Sequence, residues 1–180
     1  MKPSLVFTLL LWFPNLSAQQ FLNLDFEHTL LQDRPVAWRG SRLLQQQTLV
    51  PTPGGSGQCL YLKAPFTARE SGFVFQEIAH GLPRATRYLV TAKIRTKGVV
   101  GAGARVYAYG KANGEVIGRT QSTSLLGDTD WREVSFSMML IPAMDTLRLG
   151  CFLGGEGEAW FDDLTFTPME QEMKVTSPDA

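Results

Sequence analysis

Acidic residues are the most suggestive chemical feature of this sequence. The segment EAWFDDLTF (158–166) sets Asp162 and Asp163 side by side within an apolar run of Trp160, Phe161, Leu164 and Phe166 that reads as a buried β-strand. An ionised carboxylate in such a strand is costly unless it is paired, hydrogen-bonded or bound to a metal. Glu156, Glu158, Asp128 and Asp130 supply further carboxylates, and two of these flanking a sugar ring would have the chemistry of glycoside hydrolysis. Asp128 and Asp130, in GDTDW, are more simply read as turn residues that cap backbone ahead of a strand at 131–140. Other catalytic chemistry has little to work with. His28 and His80 stand far apart in unrelated contexts, and there is no G-x-S-x-G, H-E-x-x-H, C-x-x-C or P-loop. Gly101 and Gly103 form a G-x-G, but Val106 stands where the third glycine belongs and a strand pattern follows, so a dinucleotide-binding turn is excluded. The chain reads as a binding or structural module, not an enzyme.

The elements that must position these residues are short strands. YLVTAKIRT (88–96) places Tyr88, Val90, Ala92 and Ile94 on one face and Thr91, Lys93 and Arg95 on the other. REVSFSMML (132–140) does the same with Val134, Phe136, Met138 and Leu140, and TLRLGCFL (146–153) with Leu147, Leu149, Cys151 and Leu153. ARVYAYG (104–110) alternates Val106 and Ala108 with Arg105, Tyr107 and Tyr109. A period of two is that of half-buried strands. Between the runs lie PTPGGSG, KGVVGAG, KANGE and GGEGE, all turn-forming, and Asn113-Gly114 predicts a type I′ hairpin. No helical period is sustained outside the first residues, so the fold class expected is an all-β antiparallel sandwich.

The opening MKPSLVFTLLLWFPNLSAQQ has Lys2, an apolar run from Leu5 to Phe13, and small residues at Ser17 and Ala18. That order is a secretory signal peptide at 1–18, cleaved near Ala18, with a domain at 19–168 and a flexible tail at 169–180. The mature protein is then expected to be secreted or periplasmic, soluble and monomeric, with no membrane insertion. Lys+Arg and Asp+Glu each number 17, so loss of Lys2 leaves 16 basic against 17 acidic residues. Such a balance argues against nucleic acid as a partner. Cys59 and Cys151, in separate strands, either form a disulfide permitted by export or are two small buried residues that never meet.

Taken in order, NLDFE (23–27), RPVAW (34–38), GQCLYL (57–62), YLVTAKIRTKGVVGAGARV (88–106), GDTDWREVSF (127–136) and LRLGCFLGGEGEAWFDDLTF (147–166) form a recognisable series. The series resembles the galactose-binding-like jelly-roll modules grouped with the carbohydrate-binding modules of xylanases and glucanases. It is particularly similar to the version found ahead of esterase-like and tail-specific-protease-like domains in exported Bacteroidetes proteins. The resemblance implies one structural calcium where the first strand, an early loop and the last strand meet. Its ligands would be Glu27 and Asp162 or Asp163, with oxygens from near Asp25 and from Gly57 and Gln58. Calcium takes six to eight oxygens, and would relieve the repulsion between carboxylates brought together. The early loop reads GGSGQ where relatives often carry an extra acid, which either weakens the site or shifts it onto carbonyls.

The resemblance also implies a glycan, a polysaccharide or oligosaccharide, on the concave sheet. Arg105, Tyr107 and Tyr109 fit that role, since a tyrosine ring offers apolar area and a hydroxyl handle. Lys93 and Arg95 are expected on the same outer surface. Gln76, in FVFQEI, either joins them or satisfies a buried backbone group, because it shares a strand face with Val74 and Ile78. Trp38 and Trp131 are expected at the rim of the core and Trp160 within it, while Phe73 and Phe75 suit either face. A protein of the cell envelope is the alternative partner.

Overall fold

The strands arise where β-branched and aromatic residues alternate with polar ones, and each ends at a turn cluster. The computed structural model describes residues 20–30, 34–40, 46–64, 71–79 and 81–169. Within them run β1 (Thr29–Leu30), β2 (Arg34–Pro35), β3 (Arg39–Gly40), β4 (Gln46–Pro51), β5 (Gln58–Ala64) and β6 (Ser71–Ala79). The 27-residue β7 (Thr86–Ala112) comes next, then β8 (Glu115–Gln121), β9 (Leu125–Leu140), β10 (Thr146–Gly154) and β11 (Gly157–Pro168). The expected signal peptide, His80 and all of the expected tail except Met169 lie outside the described residues.

β1 and β2 pair only with each other; the main sheet path is β3-β6-β10-β7-β11-β5-β4, with β8 and β9 also on β7. Every pairing is antiparallel. β7 joins two layers. Its first half pairs β11 and β9, as in Trp160↔Arg95 and Val134↔Ala92, and its second half pairs β10 and β8, both at Tyr107. KGVVGAG therefore does not separate two strands but bends one. Gly98, Gly101 and Gly103 all take positive φ there. At Gly103 a Cβ would lie 2.9 Å from the Leu125 carbonyl oxygen, so the corner requires glycine.

Layer one is β9-β7-β11-β5-β4 and layer two is β3-β6-β10-β7-β8. Leu60, Leu62, Val90, Ile94 and Phe161 from the first meet Val74, Val106, Leu147, Leu149 and Leu153 from the second in one buried cluster. All the inward positions expected on 88–96, 104–110, 132–140 and 146–153 lie inside, with Phe136 half-buried. Asn113 (φ 51°) and Gly114 (φ 85°) close the β7–β8 hairpin with the positive angles of a type I′ turn. The protein is an all-β jelly-roll sandwich. Cys59 and Cys151 are buried free thiols, one in each layer, so no disulfide joins them. Burial raises both, Cys59 to about 12.

Candidate functional site

The outer face of layer two carries three transverse rows, fixed by register. Phe73, Phe152 and Arg105 form the first; Phe75, Gly150, Tyr107 and Gln121 the second; Glu77, Arg148, Tyr109 and Arg119 the third. Between the hairpin and β6, Phe73, Phe152, Arg105, Tyr107, Tyr109 and others of these rows line a groove of about 320 Å³, with Glu77 just outside it. Gly150 leaves the middle row without a side chain on β10. The Tyr107 ring lies over that gap, so close that a Cβ at 150 would be 2.5 Å from its Cζ. Tyr107 and Tyr109 stack with centroids 6.0 Å apart and are only 7% and 9% exposed, forming the floor. Burial holds the Tyr107 hydroxyl well above its ordinary range, so it stays a neutral donor.

Guanidinium groups lie over three aromatic rings of this face. Arg105 Cζ stands 3.8 Å from the Phe152 ring centre, and Arg148 Cζ lies 3.8 Å from Phe75 and 4.8 Å from Tyr109. Arg105 Nη1 also donates to the Ala102 carbonyl at 3.0 Å and to Ser124 Oγ at 3.2 Å. Burial, and then the like charge of Arg119, lower the Arg105 pKa. At the far end Glu77 accepts from Arg148 Nε and Lys111 Nζ, both at 2.8 Å. No acid and no histidine is among the residues lining the groove.

The structure thus brings Arg105, Tyr107 and Tyr109 together and separates the other three expected contacts from them. Lys93 and Arg95 belong to the first half of β7, on the outer face of layer one. There Lys93 pairs with Asp163 at 2.8 Å, while Arg95 lies 3.8 Å from Asp130 and over Trp160. Gln76 points into the sandwich: it is 3% exposed, accepts from the Leu22 amide at 3.0 Å and donates to the Leu22 carbonyl. It anchors the N-terminal segment instead of facing the groove. Trp160 is half-exposed beside Tyr61, centroids 5.2 Å apart, and not in the core, because Phe161 takes the inward position. Trp38 is buried against Phe26, and Trp131 donates its indole N–H to the Pro53 carbonyl at 2.9 Å.

Phe73 and Phe75 both lie on the groove side. Arg148, Phe152, Arg119 and Gln121 escaped the sequence reading, although its signals were present. Placing Leu147, Leu149 and Cys151 inward already sends Arg148, Gly150 and Phe152 outward. The Asn113-Gly114 hairpin likewise sets Arg119 and Gln121 beside Tyr109 and Tyr107.

At the sandwich edge a second cavity, of about 450 Å³, takes in Glu27, Thr52, Lys93, Glu133, Asp162 and Asp163. Asp162 and Asp163 sit at a bulge of β11, with Asp163 at φ 49°. Asp162 Oδ1 accepts the Asp163 amide at 2.8 Å and Oδ2 meets Thr52 Oγ1 at 3.2 Å. Burial, followed by the charges of Asp163 and Glu27, holds the Asp162 carboxyl above its ordinary value. Glu27 Oε1 accepts the Gln58 amide at 3.0 Å. Of the residues expected around calcium, Glu27, Asp162 and Asp163 line the cavity. The Asp25 side chain caps the Glu27 amide at 3.4 Å, the Gln58 amide donates to Glu27, and Asp163 pairs with Lys93. The all-oxygen donor set suits a hard cation at Glu27, Asp162 and Thr52. Among the described residues no group of three or more His, Cys, Asp or Glu side chains is arranged to hold a metal. Asp128 and Asp130 lie within β9 and not in a turn ahead of it, because the strand begins at Leu125; Asp130 accepts from the Trp131 amide at 2.9 Å and Asp128 from the Gly98 amide across the corner.

Solved structures share this architecture. The carbohydrate-binding module TmCBM61, solved with beta-1,4-galactotriose, superposes with a TM-score of 0.57 at 13% identity, covering 83% of this chain and 97% of that one. The chain has the jelly-roll fold of carbohydrate-binding modules. A cyclase from Fischerella sp. TAU is similar at TM-score 0.62 and 15% identity, over 86% of this chain and 98% of that one. The enzymatically active domain of tailspike protein 4 of bacteriophage CBA120 is similar at TM-score 0.60 and 10% identity, over 82% of this chain but 21% of that one. No protein-family model and no curated protein matches the sequence.

Proposed function

We propose that this chain is an exported, non-catalytic carbohydrate-binding module that holds a glycan in the groove across β6, β10, β7 and β8. The observation that carries the proposal is the groove itself: paired tyrosines on its floor, with arginine and glutamine donors along both sides. A polar groove over an aromatic floor suits a sugar, whose ring has apolar faces and a rim of hydroxyls. The fold shared with TmCBM61 agrees with this reading. The lack of an acid or histidine among the lining residues supports a binding role over hydrolysis. Export is argued from the opening apolar segment alone. A structural calcium at the sandwich edge, held by Glu27 and Asp162, is part of the proposal and is supported by their convergence on one cavity.

The test is affinity electrophoresis of residues 19–180 through gels carrying plant, algal and bacterial polysaccharides, with calcium present. Retardation by one polymer should be lost in the Tyr107/Tyr109 double alanine variant. It should also weaken in Gln121→Ala, an exposed position that leaves folding intact. If no polymer retards the protein, the glycan reading fails. The second reading, a docking module for an envelope protein, then takes its place. It is favoured by an apolar cleft of about 540 Å³ along Phe21, Leu24, Leu82, Tyr88 and Phe166.

A further inference from the structure

The groove's charge does not match the chain's. The full sequence balances 17 basic against 17 acidic residues. Yet three of the residues that line the groove are arginines and none is an acid. Glu77, just outside, is committed to Arg148 and Lys111. Among the described residues neither Arg105 nor Arg119 has a carboxylate partner. Arg105, half-buried, and Arg119 line the same groove, so their like charges repel in the free protein, and an anion placed between them relieves the repulsion.

The stacking makes the same point from geometry. A neutral sugar would be expected to rest on bare ring faces. Here Phe152 and Phe75 already have guanidinium planes over them at 3.8 Å, so their faces are taken. Arg105 and Arg119 both line the groove, and a guanidinium is a planar fork of N–H donors, of which Arg105 Nη1 already serves the Ala102 carbonyl and Ser124 Oγ. Such a fork matches the two oxygens of a carboxylate better than a single hydroxyl. A stacked guanidinium is also held rigid, so less entropy is lost when it binds.

Resting on the glycan reading of this groove, we propose that its ligand is an acidic polysaccharide, recognised through uronic-acid carboxylates by Arg105 and Arg119 above the tyrosine floor. Arg148, which shares Glu77 with Lys111, then serves to hold Phe75 and Tyr109 in place.

The probe is polygalacturonate, compared with the same polymer after full methyl esterification, which keeps the sugar and removes the charge. Neutral beta-1,4-galactan and dextran sulfate complete the set, all in EDTA so that calcium does not crosslink the polymers. Polygalacturonate should bind at least about tenfold more tightly than its ester. Arg105→Gln and Arg119→Gln should each weaken polygalacturonate binding about tenfold. Lys97→Gln, on an exposed residue of the other layer, should change nothing. Arg105→Lys keeps the charge but not the fork and should bind no better than Arg105→Gln. Thermal melts confirm that each variant is folded. Equal binding of polymer and ester, or arginine variants that bind as the wild type does, overturns the acidic-ligand proposal while the glycan reading stands. Dextran sulfate held as tightly, with the same arginine dependence, overturns the assignment to carboxylates. Binding to none of the four polymers in this set overturns the acidic-ligand proposal, and failure across the wider neutral panel overturns the glycan reading as well.

Discussion

Replacing Gly150 with alanine should force the Tyr107 ring off the strand beneath it. A Cβ at 150 would lie 2.5 Å from Tyr107 Cζ and 2.6 Å from its hydroxyl oxygen. Contacting carbon atoms need about 3.5–4.0 Å, so the ring must move by roughly 1 Å. It is not a loose chain end. The ring is 7% exposed and stacked on Tyr109, and that tyrosine is in turn under the Arg148 guanidinium. Overpacking of this kind costs about 1–3 kcal/mol. Gly150 has no positive φ, so alanine adds no backbone strain and recovers about 0.5–1 kcal/mol of glycine's entropic cost in a strand. The net loss should be about 0–2.5 kcal/mol, or up to roughly 10 °C in Tm for a domain of this size. Urea and thermal unfolding of the four proteins of a cycle with Tyr107→Ala measures it. With the ring gone, Gly150→Ala should be neutral or stabilising, leaving a coupling of about 1–3 kcal/mol between the two positions. An equal loss in both backgrounds would refute the argument that the glycine exists to seat the tyrosine.

Two further outcomes concern charge. Asp162, raised by burial and by its acidic neighbours, costs stability while ionised, and that cost is relieved as pH falls through its raised pKa. In EDTA at pH 7, Asp162→Asn should therefore melt at or above the wild type. Calcium at a hundredfold excess over Kd should stabilise only the wild type, by about 2.7 kcal/mol; an equal gain in both would remove Asp162 from the site. For Glu77, burial alone raises the carboxyl, but hydrogen bonds from Lys111 and Arg148 outweigh it and hold the group below its ordinary 4.5. Its contribution is present above that value and lost as pH falls through the lowered one. The Tm gap between wild type and Glu77→Gln should accordingly hold steady above that value and close as pH falls below it, and a gap that stays constant into acid would deny Glu77 its pairing role.

Alternation made most of the sandwich readable in the sequence, because a strand's period of two is a local property. Arg105, Tyr107 and Tyr109 were placed on one face by it, and the structure keeps them there. What alternation does not carry is which of two outer faces a polar row belongs to. Lys93 and Arg95 look like Arg105 in the sequence, all three outward on the same long strand. Between them β7 turns the corner at Gly98–Gly103 and passes from one layer to the other. Residues ten apart on one strand thus end on opposite sides of the molecule. Gln76 shows the converse: the face it shares with Val74 and Ile78 is a local signal for the inward alternative, but the Leu22 backbone it satisfies is 54 residues away, beyond any local pattern.

The adjacent carboxylates of β11 follow from the same arithmetic. Phe161 faces inward, so strict alternation would send Asp163 inward and Leu164 out. The observed burial is the reverse, with Asp163 exposed and Leu164 4% exposed. A bulge between Asp162 and Thr165 supplies the extra residue, and Asp163 takes the left-handed φ of 49° that the bulge needs. Aspartate tolerates that region better than a β-branched residue would. Leu164 then donates its amide to the Leu24 carbonyl at 3.1 Å, closing the sheet edge against the N-terminal segment. One aspartate is thus placed by backbone geometry and neutralised by Lys93. The other, Asp162, is left half-buried beside Glu27 with only Thr52 and an amide to satisfy it. That unequal division is why a cation, if the edge holds one, should depend on Asp162 and not on Asp163.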